Sequence, residues 1–178
     1  MREIFTIGCT HFDDSPILTY VDDFGKPIRP GFKNIKEMND FMLDTWNETV
    51  SPKDIVYHVG DVGSSPYVLE RLNGRKRLVL GNHDDGKDPL LQKVFQKIMV
   101  WRMFPELDVV LTHVPLIIPN KAKYNFNIHA HVHQNPSPTP YHINVSVEQV
   151  NYKPMPIELL LERRKKELRR INENKKDV

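Results

Sequence analysis

Five times in this chain a short run of β-branched or aromatic residues ends abruptly in polar ones, and this repeated edge constrains the fold more than any other feature. Ile4-Phe5-Thr6-Ile7 runs into Gly8-Cys9-Thr10-His11, and Asp54-Ile55-Val56-Tyr57-His58-Val59 into Gly60-Asp61. Arg77-Leu78-Val79-Leu80 runs into Gly81-Asn82-His83-Asp84, and Val109-Val110-Leu111 into Thr112-His113. Phe126-Asn127-Ile128 runs into His129-Ala130-His131-Val132-His133. Each apolar run has the length and residue types of a buried strand, and each polar segment is short and able to turn. Ile143-Asn144-Val145 looks like a further strand.

Helical signals lie between these runs. Asn34-Ile35-Lys36-Glu37 reads as an N-cap with glutamate three residues later. Ile35, Met38, Phe41, Met42 and Trp46 then recur near helical spacing until Ser51-Pro52 closes the segment. Further helices are expected over Pro66 to Leu72, stopped by Asn73-Gly74, over Pro89 to Lys97, and from Ile157 to about Ile171. Strands alternating with helices predict an α/β domain. Phe12–Lys33 shows neither period and holds Pro16, Gly25, Pro27, Pro30 and Gly31, so it reads as a long loop of the kind that often serves function.

At 178 residues the chain suits one domain, 1–178, with a basic C-terminal helix or tail at 162–178. No apolar run approaches the ~20 residues that cross a bilayer, and the start lacks the apolar stretch of a secretory signal. The single cysteine, Cys9, cannot pair within the chain, which fits a reducing compartment and a cytoplasmic location. The formal charge is +2, and Glu162 to Val178 carries eight Lys/Arg against four acids. The body therefore leans acidic, so nucleic acid is a possible partner but not a favoured one, and no membrane is expected. The Arg163–Arg170 run reads better as a solvated helix face than as a nucleic-acid arm.

In open α/β sheets ligands bind at the carboxyl ends of strands. Six of the eight histidines (11, 83, 113, 129, 131 and 133) fall just past the expected strand ends. Singly, a histidine beside a strand is more often a surface or hydrogen-bonded residue, and Gly60-Asp61 or Asn82-His83-Asp84-Asp85-Gly86 is only a polar turn. Jointly they point to metal, because imidazole and carboxylate together suit Zn, Mn, Fe or Ni. His131 and His133, two apart in an extended segment, would point to one side, each facing one of two adjacent ions, with Asp61 bridging them. His58 and His142 read as packed or structural.

Gly60-Asp61, Gly81-Asn82-His83-Asp84, Thr112-His113 and His131-Val132-His133, in that order, resemble the signature of calcineurin-like metallophosphoesterases. The likeness spans residues 4 to about 148, and Arg29-Pro30 through Asp54–His58 is similar to a compact phage- or bacterial-type branch. The resemblance implies a four-layer α/β/β/α sandwich with two mixed central β-sheets and two divalent metal ions. One ion would take Cys9, His11, Asp61 and His133; the other Asp61, Asn82, His113 and His131. His83 would sit above the phosphate as electrophile or proton donor to the leaving oxygen, oriented by Asp84. A two-metal centre makes hydroxide from water near neutral pH and neutralises phosphate oxygens. The implied activity is hydrolysis of a phosphomonoester or phosphodiester, with a nuclease, or an interaction module of weakened chemistry on the same fold, as alternatives.

Two positions depart from the pattern. The family's first element is Asp-x-His where this chain has Cys9-Thr10-His11, and its last usually begins with glycine where this chain has Ala130. Alanine resists a positive φ, so the backbone there differs or never needed that conformation. Cys9 could ligate as thiolate, favouring Zn or Fe, could stay protonated and leave one metal position, or could merely fill space. Arg29 is a candidate phosphate contact or else a solvated loop cation. Lys121, Lys123 and Tyr124 could line a groove.

Overall fold

The computed structural model describes residues 2–120 and 122–174. Lys121 and the tail's Lys175, Lys176 and Asp177 lie outside the described residues.

The fold is α/β with two mixed sheets. In the first, β1 (Ile4–Ile7), β2 (Ile55–His58), β3 (Arg75–Val79) and β4 (Lys97–Met99) run parallel in the order β4-β3-β2-β1, and β9 (Met155–Pro156) joins β1 antiparallel. In the second, β6 (Val109–Thr112), β7 (Phe126–His129) and β8 (His142–Asn144) are parallel, and β5 (Trp101–Phe104) closes the other edge antiparallel to β6. β2, β6 and β7 are buried along their whole length. That is why they read as continuous apolar runs rather than alternating ones. Fully burying a side chain such as Ile7, Val56, Leu111 or Ile128 contributes about 1.5–3 kcal/mol.

The sheets meet through packing and through backbone. Tyr57 of β2 sets its ring edge-on to Phe104 of β5, centroids 5.2 Å apart. Past the end of β1, the Gly8 amide donates to the Val145 carbonyl at 2.9 Å, and the Val147 amide donates back to Gly8 at 3.1 Å. An ideal Cβ on Gly8 would lie 2.6 Å from the Ala130 methyl, so glycine is what lets the two sheets close there. Ala130 itself does not take a positive φ; His131 and His133 do.

Helix α1 (Ile35–Thr49) begins where Asn34 Oδ1 accepts from the Glu37 amide at 2.9 Å, and the Glu37 carboxylate accepts from Lys33 N at 3.0 Å. Met38, Met42, Leu43 and Trp46 form its buried stripe, and Trp46 Nε1 donates to the Asn73 carbonyl at 3.0 Å. Helix α2 (Pro66–Leu69) is shorter than expected, its last turn loosening toward Asn73-Gly74. Helix α3 (Pro89–Val94) also stops early: Phe95 turns extended, and Lys97–Met99 pairs with β3 as an edge strand. Tertiary pairing overrides local helix propensity there. Helix α4 (Ile157–Asn174) packs on β1 and β9 and is not apolar enough to cross a membrane; no described helix is. The long loop holds a 3-10 helix at Ser15–Thr19 and a narrow hairpin closed by Val21 and Pro27.

Candidate metal centre

Five parallel strands, β1, β2, β3, β6 and β7, end on the same side, and the segments that follow them are stitched together. The Cys9, His11 and Phe12 amides donate to the carbonyls of Gly60, Asp61 and Val62 at 2.9, 3.1 and 2.8 Å, so the first two ligand segments run side by side beyond the sheet. The Ala130 amide donates to the His113 carbonyl at 2.9 Å, tying the last two. Gly60, at φ 88°, sits where a Cβ would strike His113 Nδ1 at 2.5 Å, so only glycine admits that imidazole.

The candidate ligand residues sit in costly backbone. Nine described non-glycine residues have positive φ, and five of them are Cys9, His11, Asp61, His131 and His133. Such conformations cost on the order of 1–3 kcal/mol each and gather at sites where function needs them. His131 and His133 are therefore not in an extended strand, as their spacing suggested. Instead the left-handed turns send them to different neighbours: His131 Nδ1 lies 3.2 Å from His113 Nε2, and the His133 ring stacks 5.3 Å from that of His11.

Two donor sets emerge. Cys9, His11 and His133 bring one ligand atom each within 4.8 Å of one another, and so do Cys9, Asp61 and His113. Asp61 Oδ2 stands 3.2 Å from His113 Nε2 and 3.8 Å from His11 Nε2, the place of a bridge between the two sets. Asn82 Oδ1 joins at 2.9 Å from His113 Nε2. His83 is exposed at the mouth, its ring 5.7 Å from that of His11.

The donor chemistry fits a cation. His113 Nδ1 donates to the Val59 carbonyl at 2.8 Å, which in the neutral ring leaves only a lone pair at Nε2. Nε2 then faces the Asp61 carboxylate and the Asn82 amide oxygen, both acceptors, with His131 Nδ1 beside it. His11 Nε2 is buried and has no hydrogen-bond partner. A divalent ion at each donor set would satisfy these nitrogens. Burial opposes charge on His113 but the Asp61 carboxylate outweighs it and raises its pKa. Burial lowers the pKa of His11 and of His131. Asp61 is held below the usual carboxylate range: burial works the other way, but His113 and the His83 amide prevail. Burial, with the Asp61 charge, pushes the Cys9 thiol up to about 12. Cys9 Sγ accepts the His131 amide at 3.1 Å.

Two expected roles change. Arg29 is neither a solvated cation nor a phosphate contact. It is 1% exposed, with Nε donating to Glu148 Oε1 at 2.8 Å and its other nitrogens to the carbonyls of Cys9 and Thr10 at 2.6 and 3.0 Å. It thus braces the strained Cys9 segment from behind. Asp84 does not orient the His83 ring: its carboxylate accepts from the amides of Asp61, Val62 and Gly81 at 2.9, 2.9 and 2.8 Å. It clamps the β2 and β3 ends together. The remaining histidines stay outside the centre. His58 Nε2 pairs with Thr10 Oγ1 at 2.9 Å, His129 with Ser137 Oγ at 3.0 Å and His142 with the Leu116 carbonyl at 2.6 Å.

Two carboxylates escaped sequence reasoning. Asp14 Oδ2 accepts from His11 Nδ1 at 2.9 Å, and Glu148 Oε1 accepts from His133 Nδ1 at 3.0 Å as well as from Arg29. Each fixes the tautomer that turns Nε2 toward the centre. Glu148 is held below the usual range by His133 and Arg29 against the pull of burial. Its position just past β8, on the same rim as the other ligand segments, was the signal available. Asp14 lies three residues after His11 but carries no pattern of its own.

No family model matches the chain. It is similar to the crystal structure of a protein of unknown function, AQ665 from Aquifex aeolicus, with 25% identity and a TM-score of 0.69 over 87% of this chain and 95% of that one. A protein of Methanocaldococcus jannaschii called uncharacterized protein MJ1445 is 34% identical over 170 residues, covering 90% of each chain. At that identity and coverage, the chain belongs to the same family as the Methanocaldococcus jannaschii protein.

Proposed function

We propose that this chain is a metal-dependent phosphoesterase of the calcineurin-like kind, hydrolysing a phosphomonoester or phosphodiester. One observation carries the reading: Asp61 Oδ2 stands between His11 Nε2 and His113 Nε2, the first nitrogen orphaned and the second turned to this carboxylate and to the Asn82 amide oxygen. Cys9, His11, Asp61 and His133 would hold one divalent ion, and Asp61, Asn82, His113 and His131 a second. The pair, when bound, supplies an activated water and neutralises phosphate oxygens.

The chain's own residues do the rest. Asp14 and Glu148 keep His11 and His133 in the tautomer that presents Nε2, and Asp84 holds the Asp61 and Gly81 backbone in register. His83, the exposed imidazole at the mouth, donates the proton to the departing oxygen. The test is an activity matrix on anaerobically purified chain, crossing Mn, Zn, Fe and Ni with aryl phosphates, aryl phosphodiesters, cyclic nucleotides and oligonucleotides. Turnover that needs a metal and falls about 100-fold or more in His83→Ala supports the reading. No turnover under any metal rejects it in favour of an interaction module, and unchanged turnover in His83→Ala removes the proton-donor role.

A further inference from the structure

The long loop after His11 builds a wall beside this centre. Its tip is a narrow hairpin: Asp22 Oδ1 accepts from the amides of Phe24 and Lys26, both at 2.9 Å, and the Ile28 amide donates to the Tyr20 carbonyl at 3.0 Å. Arg29 nails its base to the Cys9 segment and to Glu148. The hairpin is therefore placed by the same bonds that brace the metal-ligand backbone. Between it and the His131–Asn135 turn lies a cleft of about 420 Å³, with Tyr20, Val21 and Ile28 on one side and His131, Val132 and His133 on the other. Tyr20 and Val21 are 46% and 55% exposed, so the wall presents apolar surface to solvent.

We infer that this cleft takes the carbon-side group of the phosphate ester, and that the group is uncharged and carries at least one ring. The inference rests on the phosphoesterase reading and goes on to name the substrate class. Three observations support it. The cleft opens directly onto two candidate metal ligands, so a phosphate seated at the ions would extend its organic substituent into it. Apart from those imidazoles its described lining holds no ionisable side chain except the Tyr20 phenol, and the loop's arginine is turned inward onto Glu148, so no cation there pairs with a second phosphate or a carboxylate; Thr19, Gln134 and Asn135 offer neutral hydrogen-bonding groups. Its volume suits a small ligand, at the low end of the few hundred Å³ usual for such pockets.

The test is equilibrium binding of non-hydrolysable phosphonates to the Mn-loaded chain by titration calorimetry. Phenylphosphonate should bind about tenfold tighter than methylphosphonate, the gain from covering one ring. The negatively charged 3-phosphonopropionate should bind no tighter than methylphosphonate. Tyr20→Ala should erase the phenyl preference and Tyr20→Phe should keep it; both changes are at a half-exposed side chain and leave the core intact. Equal binding of phenyl and methyl compounds, or a preference that survives Tyr20→Ala, overturns this inference alone. Binding of none of the three overturns the phosphoesterase reading with it.

Discussion

The two halves of the centre are held in different ways. Around His113 the support comes from the backbone: the Val59 carbonyl fixes the ring, Gly60 makes room for it, and Asp61 and Asn82 face it from the front. Around Cys9, His11 and His133 the support comes from charge behind the rings, with Asp14 and Glu148 each holding an Nδ1 proton and Arg29 bracing the carbonyls. Asp61 and Cys9 stand in front of both halves, and only the second has carboxylates behind its imidazoles. A hydrogen-bonded carboxylate behind an imidazole raises the basicity of the nitrogen it presents. The Asp14 and Glu148 pairs thus strengthen, from behind, the nitrogens that His11 and His133 present.

Asp61, the carboxylate that faces both halves, gives the largest test. Asp61→Asn keeps an oxygen for the His83 amide but removes the charge between the two sets. Supporting groups alone cost 10–100-fold in metal affinity, so loss of the shared ligand should cost more than about 100-fold at both positions, read by calorimetric titration with Mn or Zn. Loss at one position only would mean that the halves are independent and that Asp61 does not bridge.

Acidity separates the halves next. With its thiol pushed up to about 12, Cys9 must release a proton to ligate, so affinity there should rise about tenfold per pH unit across the neutral range. Near His113 the dependence on pH differs. Its pKa is raised, so the proton competes with the ion below that value and competition vanishes above it; affinity climbs, then levels off. Cys9→Asp, already ionised at these pH values, should flatten the first profile and keep or raise phosphoesterase activity. A flat profile in the unaltered chain would instead identify Cys9 as a protonated bystander.

Glu148→Gln should weaken one position by about 10–100-fold and leave the His113 side unchanged, since the amide cannot hold both His133 and Arg29 as an anion does. Equal weakening on both sides would show that the buried pair merely supports the fold.

What the sequence made legible follows from what each element depends on. The parallel strands and the residues just past them could be read because burial on both faces demands continuous apolar runs, and a turn must follow each run. The strands Lys97–Met99, Trp101–Phe104 and Met155–Pro156 could not, because each lies at a sheet edge and is defined by its neighbour more than by its own residues. Likewise His113 and Asp61 announced themselves as metal-binding types at strand ends. Arg29 carried the opposite signal: an arginine among prolines and glycines looks solvated, and only its partner 119 residues away, Glu148, shows why it is buried.

The smallest effect tests the seam where the halves touch. Gly8 precedes Cys9 and Ala130 precedes His131, and the Ala130 methyl occupies the space that a side chain at position 8 would need, with only 2.6 Å between the two Cβ positions. Gly8→Ala should therefore cost about 1–3 kcal/mol in unfolding free energy as an overpacked contact. Ala130→Gly should cost less, about 1 kcal/mol, through backbone freedom and a lost methyl. The double change should recover most of the Gly8→Ala loss, because the two positions share one methyl-sized space and their effects cannot add. Denaturant melts of the four proteins without metal measure this coupling apart from ion binding. Additive losses would show that the seam yields elsewhere, and that the two sheets can shift past each other without disturbing the ligand turns.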